Sequence, residues 1–291
     1  MHEMPLRISR RPLAIAASLL GMVSLAIGAH AALNNRALEA AKTAPTEQSV
    51  DAASTGSRIA LVIGNGHYPD AAAPLTQPIN DARGLTEALR RDGFDVDVVE
   101  DASRDDMARA VERLKSRVKP DSVVMLFFGG YGVQVGRESY MLPIDATIWK
   151  ESDVRRQGIS VESVLAAMTA QGARAKLVVI DASRRNPYER RFRTFSHGLA
   201  PITAPENALI LSSATPGKVA DDSDAQHSVL VGELLNHVGE QGAGAESIFN
   251  KTRVAISKAT EGAQVPSVSS SLQEELRFGS DKTAEAEKAG S

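Results

Sequence analysis

The 291-residue chain contains no cysteine. Without thiols there is no disulfide framework, no thiolate metal site and no cysteine nucleophile. A bacterial lipoprotein anchor, which needs a Cys at its cleavage point, is excluded too. An excess of one charge is also lacking: 33 Lys and Arg stand against 36 Asp and Glu, a net charge of −3. Neither nucleic acid nor an acidic membrane surface is favoured as a bulk partner at that balance. The dinucleotide signature is incomplete, because Gly64-Asn65-Gly66 runs on to Pro69 where the third glycine would stand and a Pro-containing loop follows instead of a helix. A Gly-x-Ser-x-Gly elbow is absent around Ser183.

What is present begins with an apolar stretch, residues 13–29, behind Arg7, Arg10 and Arg11 and ahead of Ala29-His30-Ala31. A positive start, an apolar middle and an Ala-x-Ala end make a secretory signal pattern. The stretch is also barely long enough to span a bilayer, so cleavage and retention as an anchor both remain open. In either case the basic flank stays inside and the body of the chain is exported, periplasmic or secreted or held at the inner membrane. Ser9-Arg10-Arg11-Pro12-Leu13 gives a loose twin-arginine match. The expected organisation is a signal or anchor over 1–33, a flexible linker over 34–57, one domain over 58–279 and a polar tail over 280–291. The 43% hydrophobic content is ample for a single core.

Within the domain, short apolar runs alternate with helical periodicity. Arg58 to Ile63 predicts a strand, and Asn80-Asp81 predicts the cap of a helix carrying Leu85, Ala88 and Leu89. Gly93 stops that helix, 94–99 alternates as a strand, and Ser103 caps a helix with Met107, Ala110, Val111 and Leu114 on one face. Val161, Val164, Leu165 and Met168 predict a third helix, Ala208 to Leu211 a strand, and 229–238 and 247–259 two further helices. Such alternation gives an α/β fold with a mostly parallel sheet.

Two fully apolar strands end abruptly, one in Gly129-Gly130-Tyr131-Gly132 and the other in Asp181-Ala182-Ser183-Arg184. Ligands bind at the carboxyl ends of strands in open α/β sheets, so Tyr131 and Ser183 are expected to face one crevice. A phenol and a hydroxyl placed there suggest a hydrogen bond holding it shut.

At these two strand ends the chain resembles the caspase-type peptidases, and in particular their bacterial metacaspase-like (orthocaspase) members. In that family the first end reads Gly-His-Gly and the second Asp-x-Cys-Arg, with His and Cys as the catalytic dyad. Ile63-Gly64-Asn65 followed by Tyr68, then Asn80-Asp81-Ala82, Tyr140-Met141-Leu142-Pro143-Ile144-Asp145, and Gln264-Val265-Pro266 with Phe278 extend the similarity over 58–279. Ser267 stands where the family usually has Trp. The resemblance implies a three-layer caspase-like sandwich. It also implies that Tyr131 and Ser183 occupy the His and Cys positions, that the N–H groups of Gly132 and Ser183 are the oxyanion donors, and that Asp181 lines a pocket for an Arg or Lys side chain.

A serine needs a base, and an unperturbed phenol with a pKa of about 10 is a donor at neutral pH. The catalytic positions are therefore expected to be inactive, leaving an exported pseudoprotease that binds a peptide or protein bearing Arg or Lys. The alternative is an endopeptidase of the same fold using Ser183 with an unidentified base, His67 or His197 being the candidates. A third is a scaffold whose crevice does nothing. No cofactor is expected; Asp221, Asp222 and Asp224 form an acidic loop where calcium is conceivable, although the spacing is no EF-hand. Arg184, Arg185, Arg190, Arg191 and Arg193, interleaved with Tyr188, Phe192 and Phe195, read as a solvated loop packing its aromatics on the domain. Nucleic acid is not an expected partner, and a membrane is one only through an uncleaved N-terminal segment.

Overall fold

The computed structural model describes residues 56–69, 74–185, 187–188, 198–220, 225–240 and 242–278. The N-terminal apolar stretch, residues 34–55 of the linker, the C-terminal tail, the acidic loop and residues 189–197 lie outside these. Among the described residues no helix is long and apolar enough to cross a membrane.

The strands and helices follow the chain as β1 (Arg58–Gly64), α1 (Gln77–Arg91), β2 (Asp95–Glu100), α2 (Arg104–Arg117), β3 (Val123–Gly129), β4 (Gly132–Val135) and β5 (Glu138–Met141). They continue as α3 (Glu151–Gln157), β6 (Ile159–Ser160), α4 (Val161–Ala170), β7 (Ala175–Asp181), β8 (Ala208–Ser212), α5 (Val229–Val238), α6 (Ala245–Ala259) and β9 (Ser267–Ser270). A six-stranded sheet has the order β2-β1-β3-β7-β8-β9. Its first five strands pair in parallel, and β9 closes one edge antiparallel to β8. A small antiparallel sheet, β4-β5-β6, stands apart from it.

The central strands are apolar on both faces because both faces are covered. Ala60, Val62, Val123, Met125 and Phe127 pack with Leu85 of α1, Leu234 of α5 and Phe249 of α6. Ile59, Leu61, Ile63, Val124, Leu126 and Phe128 point the other way, onto Met107 and Leu114 of α2 and Leu165 of α4. Helix layer, sheet and helix layer make the expected three-layer sandwich. Each fully buried aliphatic side chain in it contributes about 1.5–3 kcal/mol.

Local signals set most boundaries. Ser103 caps α2 in a reciprocal capping box with Asp106, and Gly93, at φ +81°, turns the chain after α1. Asn80-Asp81 is not a cap. Helix α1 starts earlier, behind Thr76 with Pro78 in its first turn, where proline's missing N–H costs nothing. The Asp81 side chain is thereby released for a partner far along the chain. At the β2 edge, Asp97 and Glu100 pair with Arg113 and Arg83, and Arg117 pairs with Asp95.

Candidate functional site

The carboxyl ends of β3 and β7 run side by side beyond the strands themselves. Gly130 N–H donates to the Asp181 carbonyl at 3.2 Å and Gly132 N–H to the Ala182 carbonyl at 3.1 Å. Tyr131 and Ser183 are thus brought to one place, as expected, on strand ends whose backbones are bonded directly to each other. Gly130 is required there. Its φ is +155°, and a Cβ would fall 2.5 Å from the Tyr68 hydroxyl.

Both expected oxyanion donors are engaged in this arrangement. The Gly132 N–H is spent on Ala182, and the Ser183 N–H donates to Oγ of Ser213 at 3.3 Å. The Ser183 carbonyl accepts from Ala220 N–H at 2.6 Å, which covers the serine from the β8 side. Ser183 is 1% exposed, and its Oγ has no hydrogen-bond partner. Among the described residues the hydroxyl therefore has no base in contact, and it makes no bond to Tyr131, contrary to the expected phenol–hydroxyl bond.

Tyr131 belongs to a different contact set. Its ring meets that of Tyr68 edge-on, with centroids 4.9 Å apart, and its N–H donates to the Tyr68 hydroxyl at 3.1 Å. That hydroxyl in turn donates to the Leu142 carbonyl at 2.9 Å. Burial pushes the Tyr68 phenol up, so it stays a protonated donor. Asn65 ties the same region together from within the core: its Oδ1 accepts from Ala102 N–H at 2.9 Å and its Nδ2 donates to the Leu142 carbonyl at 3.1 Å.

The described domain histidines each face a carboxylate. His67 Nδ1 lies 2.5 Å from Asp101, His227 Nδ1 2.9 Å from Asp81, and His237 Nδ1 2.8 Å from Glu240. The backbone and side-chain bonds from Gly66 and His67 outweigh burial and hold the Asp101 carboxyl below its ordinary range. Of the candidate bases, then, His67 is an exposed turn residue committed to Asp101, and His197 lies outside the described residues.

The charged floor beneath Ser183 was only half visible in the sequence. Asp181 is buried, and its Oδ2 has no hydrogen-bond partner among the described residues. Arg184 Nη2 lies 3.7 Å from that oxygen. Arg184 is not part of a solvated run. It is 4% exposed and turned under the strand ends, donating Nη1 to the carbonyls of Gly130, at 3.0 Å, and Asp181. Tyr188 is buried beside Tyr68 and Val133 and donates to the Ala146 carbonyl, as the expected aromatic packing requires. Residues 190–193 lie outside the described residues, and so do Asp221, Asp222 and Asp224. Among the described residues no group of three or more His, Asp or Glu comes together that could hold a metal ion.

Asp81, read from sequence as a helix cap, is instead a wholly buried carboxyl accepting from His227 and from Ser228 N–H at 3.1 Å. Burial and then the nearby charge of Asp181 push it up to about 6. No local signal marks this role, because its partners are 146 and 147 residues away.

A carboxyl raised in the folded state binds more protons there than in the unfolded chain. Its contribution to stability is complete below pH 3.8 and is lost as pH rises through about 6. That loss amounts to about 3 kcal/mol, counting 1.36 kcal/mol for each pH unit. Asp81→Asn is accordingly expected to raise the melting temperature at pH 8 and leave it unchanged near pH 4. Equal shifts at both pH values would show that Asp81 is not the titrating group.

An apolar groove of about 670 Å³ lined by Ala108, Val111 and Ile159 lies on the outer face of α2 and contains none of these residues.

Comparison with known proteins agrees with this architecture. Over 144 residues the chain is 27% identical to the human mucosa-associated lymphoid tissue lymphoma translocation protein 1. That alignment covers 49% of this chain and 17% of the relative's length, so the likeness concerns one part of a longer protein. The crystal structure of caspase-1 from Spodoptera frugiperda superposes with a TM-score of 0.58 at 15% identity, covering 77% of this chain and 92% of that one. A family model described as Caspase domain matches residues 57–277. The chain belongs to the caspase domain family.

Proposed function

We propose that this protein is an exported, non-cleaving member of its family, which binds a peptide or protein through an Arg or Lys side chain and acts in a regulatory or scaffolding role. The observation that carries the non-cleaving part is the buried Ser183 Oγ, which has no base against it among the described residues. A serine hydroxyl without a base is a poor nucleophile at neutral pH. Tyr131, at the position where the resemblance to metacaspase-like members puts a histidine, is packed on Tyr68.

The binding part rests on Asp181. Its unpartnered Oδ2, with the second carboxyl of Asp81 close enough to feel its charge, gives two acidic groups under one strand end. A guanidinium or ammonium satisfies such a pair by charge-assisted hydrogen bonds. Arg184 sits too far from Oδ2 to hydrogen-bond it, so the carboxylate retains capacity for an incoming cation. Export is supported by the signal-like residues 1–33.

The test is binding of a fluorescent Arg-containing peptide to the full-length chain. Saturable binding without cleavage is expected, and Asp181→Asn should weaken it at least tenfold while leaving the melting transition in place. Undiminished binding by the variant would remove Asp181 from the pocket. Cleavage by the native chain would overturn the non-cleaving assignment.

A further inference from the structure

Helix α1 carries a polar stripe beside its apolar face. Gln77, Asn80, Asp81 and Gly84 recur at i, i+3, i+4 and i+7, and so lie along one side of the helix. All four meet a single short segment, residues 225–228, just before α5. Gln77 Nε2 donates to the Ala225 carbonyl at 3.4 Å and Asn80 Nδ2 to the Gln226 carbonyl at 3.1 Å. Asp81 accepts from Ser228 N–H and from His227 Nδ1. At Gly84 an added Cβ would lie 3.0 Å from Cε1 of His227, so the missing side chain is what lets the imidazole rest on the helix.

This stitching has one chemical product: it delivers an N–H donor to a buried carboxyl. With Asp81 as its partner, His227 carries its proton on Nδ1. The groups facing Asp81 are His227 and the Ser228 amide from the segment before α5, and Asp181 from the end of β7. Arg184 Nη2 lies 3.7 Å from Oδ2 of Asp181. Burial and Asp181 both favour the protonated, uncharged form of Asp81. The His227 donor, followed by Ser228, favours the carboxylate.

We infer that His227 is the positioning residue of the basic-side-chain pocket, holding Asp81 as an ionised acceptor so that a cationic ligand meets two carboxylates instead of one. This rests on the pocket proposed above. Cation binding is then coupled to loss of a proton from Asp81, and affinity rises with pH. Without the His227 donor the rise is displaced to higher pH, where Asp81 ionises unaided. Gln at the same place supplies an amide N–H that does not titrate.

The test is calorimetric titration of the full-length chain with N-acetyl-argininamide between pH 5.5 and 9, with melting curves as the control for folding. The native chain is expected to bind more tightly as pH rises through about 6. His227→Ala should bind about threefold more weakly than native at pH 6.5 and about eightfold at pH 5.5, the result of raising the carboxyl's midpoint by about one pH unit from about 6, and within twofold of native at pH 9. His227→Gln should restore native affinity at pH 6.5. A His227→Ala profile that superposes on native, or one weakened by the same factor at every pH, overturns the inference. So does failure of Gln to restore binding. If the native chain binds while Asp181→Asn does not, and His227→Ala leaves the profile unmoved, the pocket stands and only the role of His227 falls. If the native chain binds nothing at any pH, the pocket falls and His227 with it.

Discussion

The chain carrying Tyr131→His together with Ser183→Cys is expected to cleave peptides after Arg or Lys, where the native chain shows no cleavage. Loss of a nucleophile or its base costs a triad enzyme on the order of a millionfold in kcat, and native Ser183 has no base against it among the described residues. The backbone frame around both positions is in place, although the Gly132 N–H is engaged with the Ala182 carbonyl. Residues 130–132 and 181–182 are held together by main-chain bonds that do not depend on side chains, and Asp181 lies two residues before the nucleophile position. The N–H of residue 183 is now engaged with Ser213. That contact, 3.3 Å to a neutral hydroxyl, is a weak competitor for a substrate oxyanion. The measurement is release of a fluorophore from a library of peptides with Arg or Lys at the cleavage position. Single variants should be silent, because either one lacks half of the dyad. Activity in the native chain, or labelling of Ser183 by a fluorophosphonate, would show an unrecognised base and refute the pseudoprotease assignment. Silence from the double variant would mean that the engaged N–H groups, or the pocket itself, no longer admit a substrate.

Phe127→Ala is expected to cost about 3–5 kcal/mol of folding stability. Phe127 is fully buried in β3, between β1 and β7, and packs with residues from α1, α5 and α6. It also supports the site directly, since its ring lies against the face of Gly129, 3.3 Å from where a Cβ would be. In a domain of this size a loss of that order lowers the melting temperature by roughly 6–20 °C. Denaturant unfolding with an unchanged m-value would report it as a pure stability effect. A loss below about 1 kcal/mol would mean that the layer collapses readily around the missing ring. The description of this core as close-packed would then be wrong.

Much of the frame was legible in the sequence because local physics decides it. Residues 229–238 form the expected helix, bounded by the Ser228 cap, and Ser103 begins α2 as its capping pattern requires. The strands β3 and β7 are unbroken apolar runs and end where their composition changes. Their juxtaposition followed from the resemblance and from parallel pairing.

What escaped were features defined by distant partners. Strand β9, Ser267–Ser270, has no apolar signal and forms because β8 offers it a row of main-chain partners. The two- to four-residue strands of the small sheet and the seven-residue helix α3 are too short for periodicity to register. Asp81 looked like a cap because its neighbours in sequence fit one, while its actual partners, His227 and Ser228, lie just before α5. Arg184 looked solvated as the first of a basic run. Its burial depends on the carbonyls of Gly130 and Asp181, which the fold alone places within reach.

The charged pairs along β2 have a consequence for the protein as a crowded solute. This strand ends the sheet, and an unpaired strand edge is a template on which further strands polymerise. Arg83, Arg113 and Arg117 lean across from the neighbouring helices onto Glu100, Asp97 and Asp95. Such exposed pairs contribute only about 0–1 kcal/mol each to folding. An incoming strand, however, would have to strip water from this fringe of charge before it could hydrogen-bond the edge. Neutralising the fringe should leave the monomer nearly as stable and make concentrated solutions prone to ordered aggregation.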